Sequence, residues 1–172
     1  MGLLTSGLTL ACSDKNRRGG VKTIWLANKD DVTSFTLASE IYTAVTMVGV
    51  AVFFKHEFER FTAEHREEFN GENGSASWQE QIEMLFPKRT QTKRNQIQAI
   101  AETCGLVAIV EDFNGIKWVV GYDETQKIEG YLELQTNTSQ SGKGLNDNNS
   151  DTIVLQAQAA EKARTFTGTV PV

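Results

Sequence analysis

Leu106-Val107-Ala108-Ile109-Val110-Glu111-Asp112-Phe113-Asn114-Gly115-Ile116-Lys117-Trp118-Val119-Val120-Gly121 is the stretch that decides the fold. Two runs dominated by β-branched and aromatic residues flank one Asn-Gly pair. Branched side chains are stiff at χ1 and fit a pleated surface better than a helical one. Asn and Gly tolerate positive φ, which a two-residue type I′ turn demands at both central positions. The spacing predicts a β-hairpin whose turn is Asn114-Gly115.

Upstream of this hairpin the period changes. Thr90 to Thr103 carries an apolar stripe of Ile97, Ile100 and Ala101, with Thr90 or Thr92 as N-cap and Gly105 as the stop, so a helix is predicted there. Pro87 closes the element before it. Ser75 to Phe86 reads as a strand, with Trp78, Ile82 and Met84 on one face. Asn70-Gly71-Glu72-Asn73-Gly74 has the composition of a tight turn, which makes Ser75 to Phe86 the return strand of a long hairpin. Its outgoing arm, Lys55 to Phe69, is ambiguous: Phe54, Phe58, Phe61, His65 and Phe69 recur at helical spacing, while the adjoining turn asks for a strand.

Toward the N-terminus, Gly19-Gly20 leads into a strand-like run, Val21 to Ala27. Val32 to Leu37 and Thr43 to Phe54 come next, the latter with a bend or bulge at Gly49. Toward the C-terminus, strands are predicted at Tyr131 to Thr136, Ile153 to Gln158 and Arg164 to Val170, and an exposed loop at Thr138 to Asp151. About eight strands and one helix in a single domain spanning 1-172 imply a mainly β protein, a sandwich or barrel with one α-helix packed on it.

The chain has 172 residues with 40% apolar content, enough for a core that needs no metal or disulfide staple. Its 22 acidic against 17 basic residues argue against a protein that grips nucleic acid, though not against one past which nucleic acid slides. Cys12 and Cys104 are too far apart for a metal-binding pair and read as free thiols, Cys104 as a small buried residue. Leu3 to Cys12 resembles a lipobox, but no basic n-region precedes it and the apolar run is short.

No catalytic constellation, metal site or cofactor site emerges. His56 and His65 lack a nucleophile or a ligand at productive spacing. Gly142-Lys143-Gly144 lacks the remaining glycines of a phosphate loop. Lys88, Arg89, Lys93 and Arg94 read as a solvated face or an interface ion-pair set. Glu57, Glu59, Glu64, Glu67, Glu68 and Glu72 lie along one polar segment with basic residues interspersed, which suggests a charged surface and not a glycosidase pair.

The order of several short patterns resembles the tail tube proteins of long-tailed bacteriophages, in particular those infecting Bacteroidota. Cys12 and Gly19-Gly20 leading into Val21-Lys22-Thr23-Ile24-Trp25 resemble the N-terminal strand of that family. Glu72 to Gln81 is similar to the turn and return strand of its long hairpin, and Arg94 to Ala101 to its single helix. Val107 to Gly121 resembles the hairpin after that helix. Ser141 to Asp147, Ile153-Val154-Leu155 and Phe166-Thr167-Gly168 resemble the closing strands. Lys55 to Phe69 departs most.

The resemblance implies a virion structural protein, not an enzyme, made in the host cytoplasm. Its subunits form hexameric rings that stack into a tube and meet terminator and hub proteins. Their hairpins line a lumen through which double-stranded DNA passes without specific binding. The glutamates of the outgoing arm are then candidates to face the lumen, one alternating set per strand. Another virion ring component, such as a terminator, connector or hub, is the nearest alternative. A surface lipoprotein or binding module anchored through Cys12 is the alternative from a different class.

Overall fold

The computed structural model describes residues 6–8, 11–12, 18–72 and 74–172. Its centre is the strand β7 (Leu106–Asp112), in which every residue from Leu106 to Val110 is buried. Leu106, Ala108 and Val110 enter one core while Val107 and Ile109 enter another, because successive side chains point to opposite faces. An unbroken apolar run is therefore the signature of a strand covered on both sides, although the ladder around it is antiparallel.

The remaining strands are β1 (Val21–Asn28), β2 (Val32–Ala38), β3 (Ile41–Met47), β4 (Phe54–His56), β5 (Glu64–Asn70), β6 (Ser77–Pro87), β8 (Lys117–Val120), β9 (Glu133–Gln140), β10 (Ser150–Ala159) and β11 (Arg164–Phe166). They form a seven-stranded sheet in the order β2-β3-β11-β8-β7-β1-β4 and a four-stranded sheet in the order β5-β6-β10-β9. The first core lies between the sheets, where Ile24, Leu26 and Val120 meet Ile82, Met84, Ile153 and Leu155. The second lies on the far face of the larger sheet, where Phe35, Tyr42, Tyr122 and Phe166 form an aromatic cluster, with Phe35 and Tyr122 centroids 4.9 Å apart. The predicted β-sandwich class with one helix is thus what the chain adopts.

The helix α1 (Gln91–Glu102) is capped as expected: the Thr90 side chain accepts from the Lys93 backbone N–H at 3.3 Å. It buries only Ile97 fully, and Ala101 is exposed, so the apolar stripe is narrower than the sequence suggested. Cys104, expected inside, is exposed, because it sits on the corner between α1 and β7 and not on the sheet.

Four other expectations change. The Asn114-Gly115 turn is not type I′. Gly115 has φ +82°, but Asn114 is not in the positive-φ region. The Asp112 carboxylate accepts from the backbone N–H groups of Asn114 (2.8 Å) and Ile116 (3.0 Å), and Gly115 N–H donates to the Asp112 carbonyl at 3.1 Å. Those bonds hold a type I turn succeeded by a left-handed glycine, a three-residue loop closed by Asp112 and Ile116. Thr43 to Phe54 is not one strand: β3 and β4 are separated by a turn at Gly49, φ +58°. The polar stretch Thr138 to Asp151 is not all loop, since β9 runs to Gln140 and β10 begins at Ser150. The strand count is eleven among the described residues, above the eight expected: β4 is separate from the strand expected over Thr43 to Phe54, and β5 forms within the ambiguous stretch Lys55 to Phe69.

Candidate functional site

Lys55 to Phe69 resolves into the end of β4, a crossing loop and β5. The strand β5 pairs with β6 in an antiparallel hairpin from Glu64↔Glu83 to Asn70↔Ser77. The helical recurrence of phenylalanines is incidental: Phe54, Phe61 and Phe69 are all exposed. One residue of the hairpin tip, Asn73, and much of Leu3 to Cys12 lie outside the described residues.

The period of two sorts the candidate glutamates. Glu64 and Glu68 stand on the face of the four-stranded sheet that points away from the core, with Arg66 between them. Glu67 points the other way and is held by the body: it accepts from Ala163 N–H at 2.7 Å and lies 3.6 Å from the Lys162 ammonium. Glu57 and Glu59 are in the crossing loop, and Glu72 is exposed in the hairpin tip.

The outward face extends across all four strands. Gln79, Gln81 and Glu83 continue it on β6, Thr152, Val154, Gln156 and Gln158 on β10, and Glu133, Thr136 and Thr138 on β9. Arg66 donates to Gln81 Oε1 at 2.6 Å and sits 3.3 Å from Glu68. Glu64, by contrast, faces Glu83 directly across the ladder. Like charges in directly opposed positions are unfavourable. Glu64, Glu68, Glu83 and Glu133 outnumber Arg66, giving an amide-rich and negative surface. Neither edge of this sheet, β5 or β9, has a further strand beside it among the described residues.

Sequence reasoning missed another unusual carboxylate. Glu80 is 2% exposed, between the sheets, and its Oε2 accepts from Gly121 N–H at 3.2 Å. Burial pushes its carboxyl up to about 8, and the nearby Glu67 and Asp123 add to this while the Gly121 N–H opposes it. Glu67 is its direct cross-strand neighbour. Asp123, also buried, accepts from the N–H groups of Thr125 (2.9 Å) and Ala160 (2.9 Å), so it shapes the loop after β8. His65 lies on the same strand as Glu67, with Nε2 unpartnered among the described residues, and burial holds its imidazole below the usual range. The alternation Gln79-Glu80-Gln81-Ile82 was the available signal: in register with Ile82 and Met84, Glu80 must point inward.

Among the described residues no cluster of histidine, cysteine and carboxylate side chains is arranged to hold a metal ion, and no helix is long and apolar enough to cross a membrane. Comparison of the chain with protein-family models, with curated proteins and with solved structures gave no match.

Proposed function

We propose that the chain is a tail tube subunit of a long-tailed bacteriophage, assembling into hexameric rings that stack around the path of the genome. The observation that carries this reading is the four-stranded sheet: two open edges, a core on one face and an uncovered negative face on the other. An exposed sheet edge is a template for pairing with another chain, and closure into a barrel is the arrangement that removes it. Joining β5 of one subunit to β9 of the next repeats the sheet around a ring. Six such sheets, with strands about 4.8 Å apart and tilted about 40°, close a barrel roughly 50 Å across its backbone, wide enough for duplex DNA.

In this arrangement Glu64, Glu68, Glu83 and Glu133 face the lumen, and Glu67 does not. Carboxylates repel phosphates, and the glutamine amides between them offer no fixed positive charge, so DNA slides without being held. The experiment is negative-stain microscopy with light scattering on purified protein over a concentration series. Rings and stacked tubes are the expected result. A species that stays monomeric at every concentration, with no particles on the grid, refutes the reading, and rings that never stack point to a terminator or connector.

A further inference from the structure

A groove of about 550 Å³ lies between the edge strand β4 and helix α1, at the end of the sandwich where β6 runs out at Pro87. Leu26, Phe86 and Leu106, all buried, form its floor, with exposed Phe54 on one side and half-buried Ile100 on the other. Its rim is basic. Lys55 and Lys93 line it together with one acid, Glu57, and the Lys93 ammonium donates to the carbonyls of Pro87 and Lys88, which sets Lys88 and Arg89 beside it. Lys55, Lys88 and Arg89 are exposed, and their side chains make no ion pair among the described residues.

The other end of β6 carries a surface of matching chemistry. Phe69 and Trp78 are cross-strand partners beside the hairpin turn, with ring centroids 5.3 Å apart. By the alternation of the two strands they stand on the same face as Glu67 and Glu80, which the body covers. The Lys162 ammonium, 5.5 Å from the Trp78 ring centroid, is the last of that cover. Past it Phe69 is 59% exposed. Glu72, in the turn, is also exposed and makes no ion pair among the described residues. Trp78 and Phe86 are eight residues, or about 27 Å, apart along β6, so the aromatic pair cannot reach the groove of its own subunit.

We propose that the tip of the β5–β6 hairpin docks on the next copy along the stack, with Phe69 and Trp78 in the groove between β4 and α1 and Glu72 against Lys88 and Arg89. The inference rests on the tail tube reading, which supplies neighbours stacked along one axis. Aromatic side chains seated in a pocket dominate the energy of an interface, and opposite charges at the rim fix its register. The knob is net acidic at its turn and the groove net basic at its rim, so a second copy satisfies both requirements. Knob and groove are unlike surfaces at opposite ends of one strand, so the contact is heterologous and propagates without closing.

The test places the photo-reactive analogue p-benzoylphenylalanine at position 69 and irradiates assembled protein made from an equal mixture of isotope-labelled and unlabelled subunits. Mass spectrometry is expected to find the adduct on groove residues of β4 or α1, joining labelled to unlabelled chains. Phe69→Ser and Ile100→Glu each raise the concentration needed for stacked rings about tenfold or more, with single rings and wild-type melting retained. The double variant is no worse than the poorer single one, because both changes remove one contact. Glu72→Lys weakens stacking, and adding Lys88→Glu and Arg89→Glu restores it. An adduct confined to one chain or on another surface, stacking unchanged by Phe69→Ser, additive losses in the double variant, or charge reversal without rescue overturns the inference while rings are present. Absence of rings from the wild type is the distinct failure of the tail tube reading, and takes this contact with it.

Discussion

Replacing Glu80 with Gln is expected to stabilise the subunit, increasingly so as the pH rises. In the unfolded chain a glutamate ionises near its ordinary value of 4.5, whereas in the fold Glu80 holds its proton up to about 8. A carboxyl whose folded pKa is raised contributes stability that is complete below about 4.5 and is lost as the pH climbs through about 8. At about 1.36 kcal/mol per unit, retaining that proton at pH 7 costs the fold about 3 kcal/mol. Glutamine keeps the shape, still offers a carbonyl oxygen to Gly121 N–H and never ionises. The difference between variant and wild type should therefore grow by about 3 kcal/mol between pH 5 and pH 8, or roughly 6–12 °C in Tm for a chain of this size. The assay is urea unfolding of both proteins across that range, at concentrations below assembly. Taking the difference cancels the other titrating groups. Parallel stability curves from pH 5 to pH 8 would refute the claim that burial governs this carboxyl.

Three further outcomes rest on the same geometry. Gly115→Val is expected to destabilise by about 1–2 kcal/mol in thermal melting: among the described residues no atom crowds its Cβ position, so the cost is that of a branched residue at φ +82°. Gly121→Ala should cost more than Gly115→Ala in the same assay, because a Cβ at position 121 meets the Leu106 carbonyl oxygen at 2.9 Å as well as needing φ +84°. Converting Glu64, Glu68 and Glu83 to Lys should leave rings intact and slow genome release, most at low salt, whereas Glu67→Lys should instead disturb subunit stability; equal release rates at every salt concentration, with intact tubes, would remove these carboxylates from the DNA path.

Leu106 to Val110 announced its strand because two-sided burial leaves no polar position to interrupt the run. The helix was legible for the local reason that Thr90 caps it. What misled were residues whose partners are remote or lie to one side. Asn114-Gly115 has the composition of a type I′ turn, but Asp112 offers two hydrogen bonds that select a different one. Thr138 to Gln140 looked like loop because both its faces are polar, and its strand character comes from pairing with Thr152, Asp151 and Ser150. Of the six candidate glutamates, alternation alone could divide Glu64 and Glu68 from Glu67, but not before the segment was known to be a strand. Glu83 and Glu133 joined them only through the sheet order, and Glu80 was hidden by its polar neighbours.

The two-sided burial of β7 also sets a hierarchy of motion. Amides of Val107 to Val110 are covered by both cores and flanked by β1 and β8, so they exchange with solvent only when the whole domain opens. The strands β5 and β9 have one neighbour each, and β4 is three residues long, so their amides exchange through local fraying at far lower free energy. The subunit thus combines a slowly exchanging spine with margins that open by local fraying.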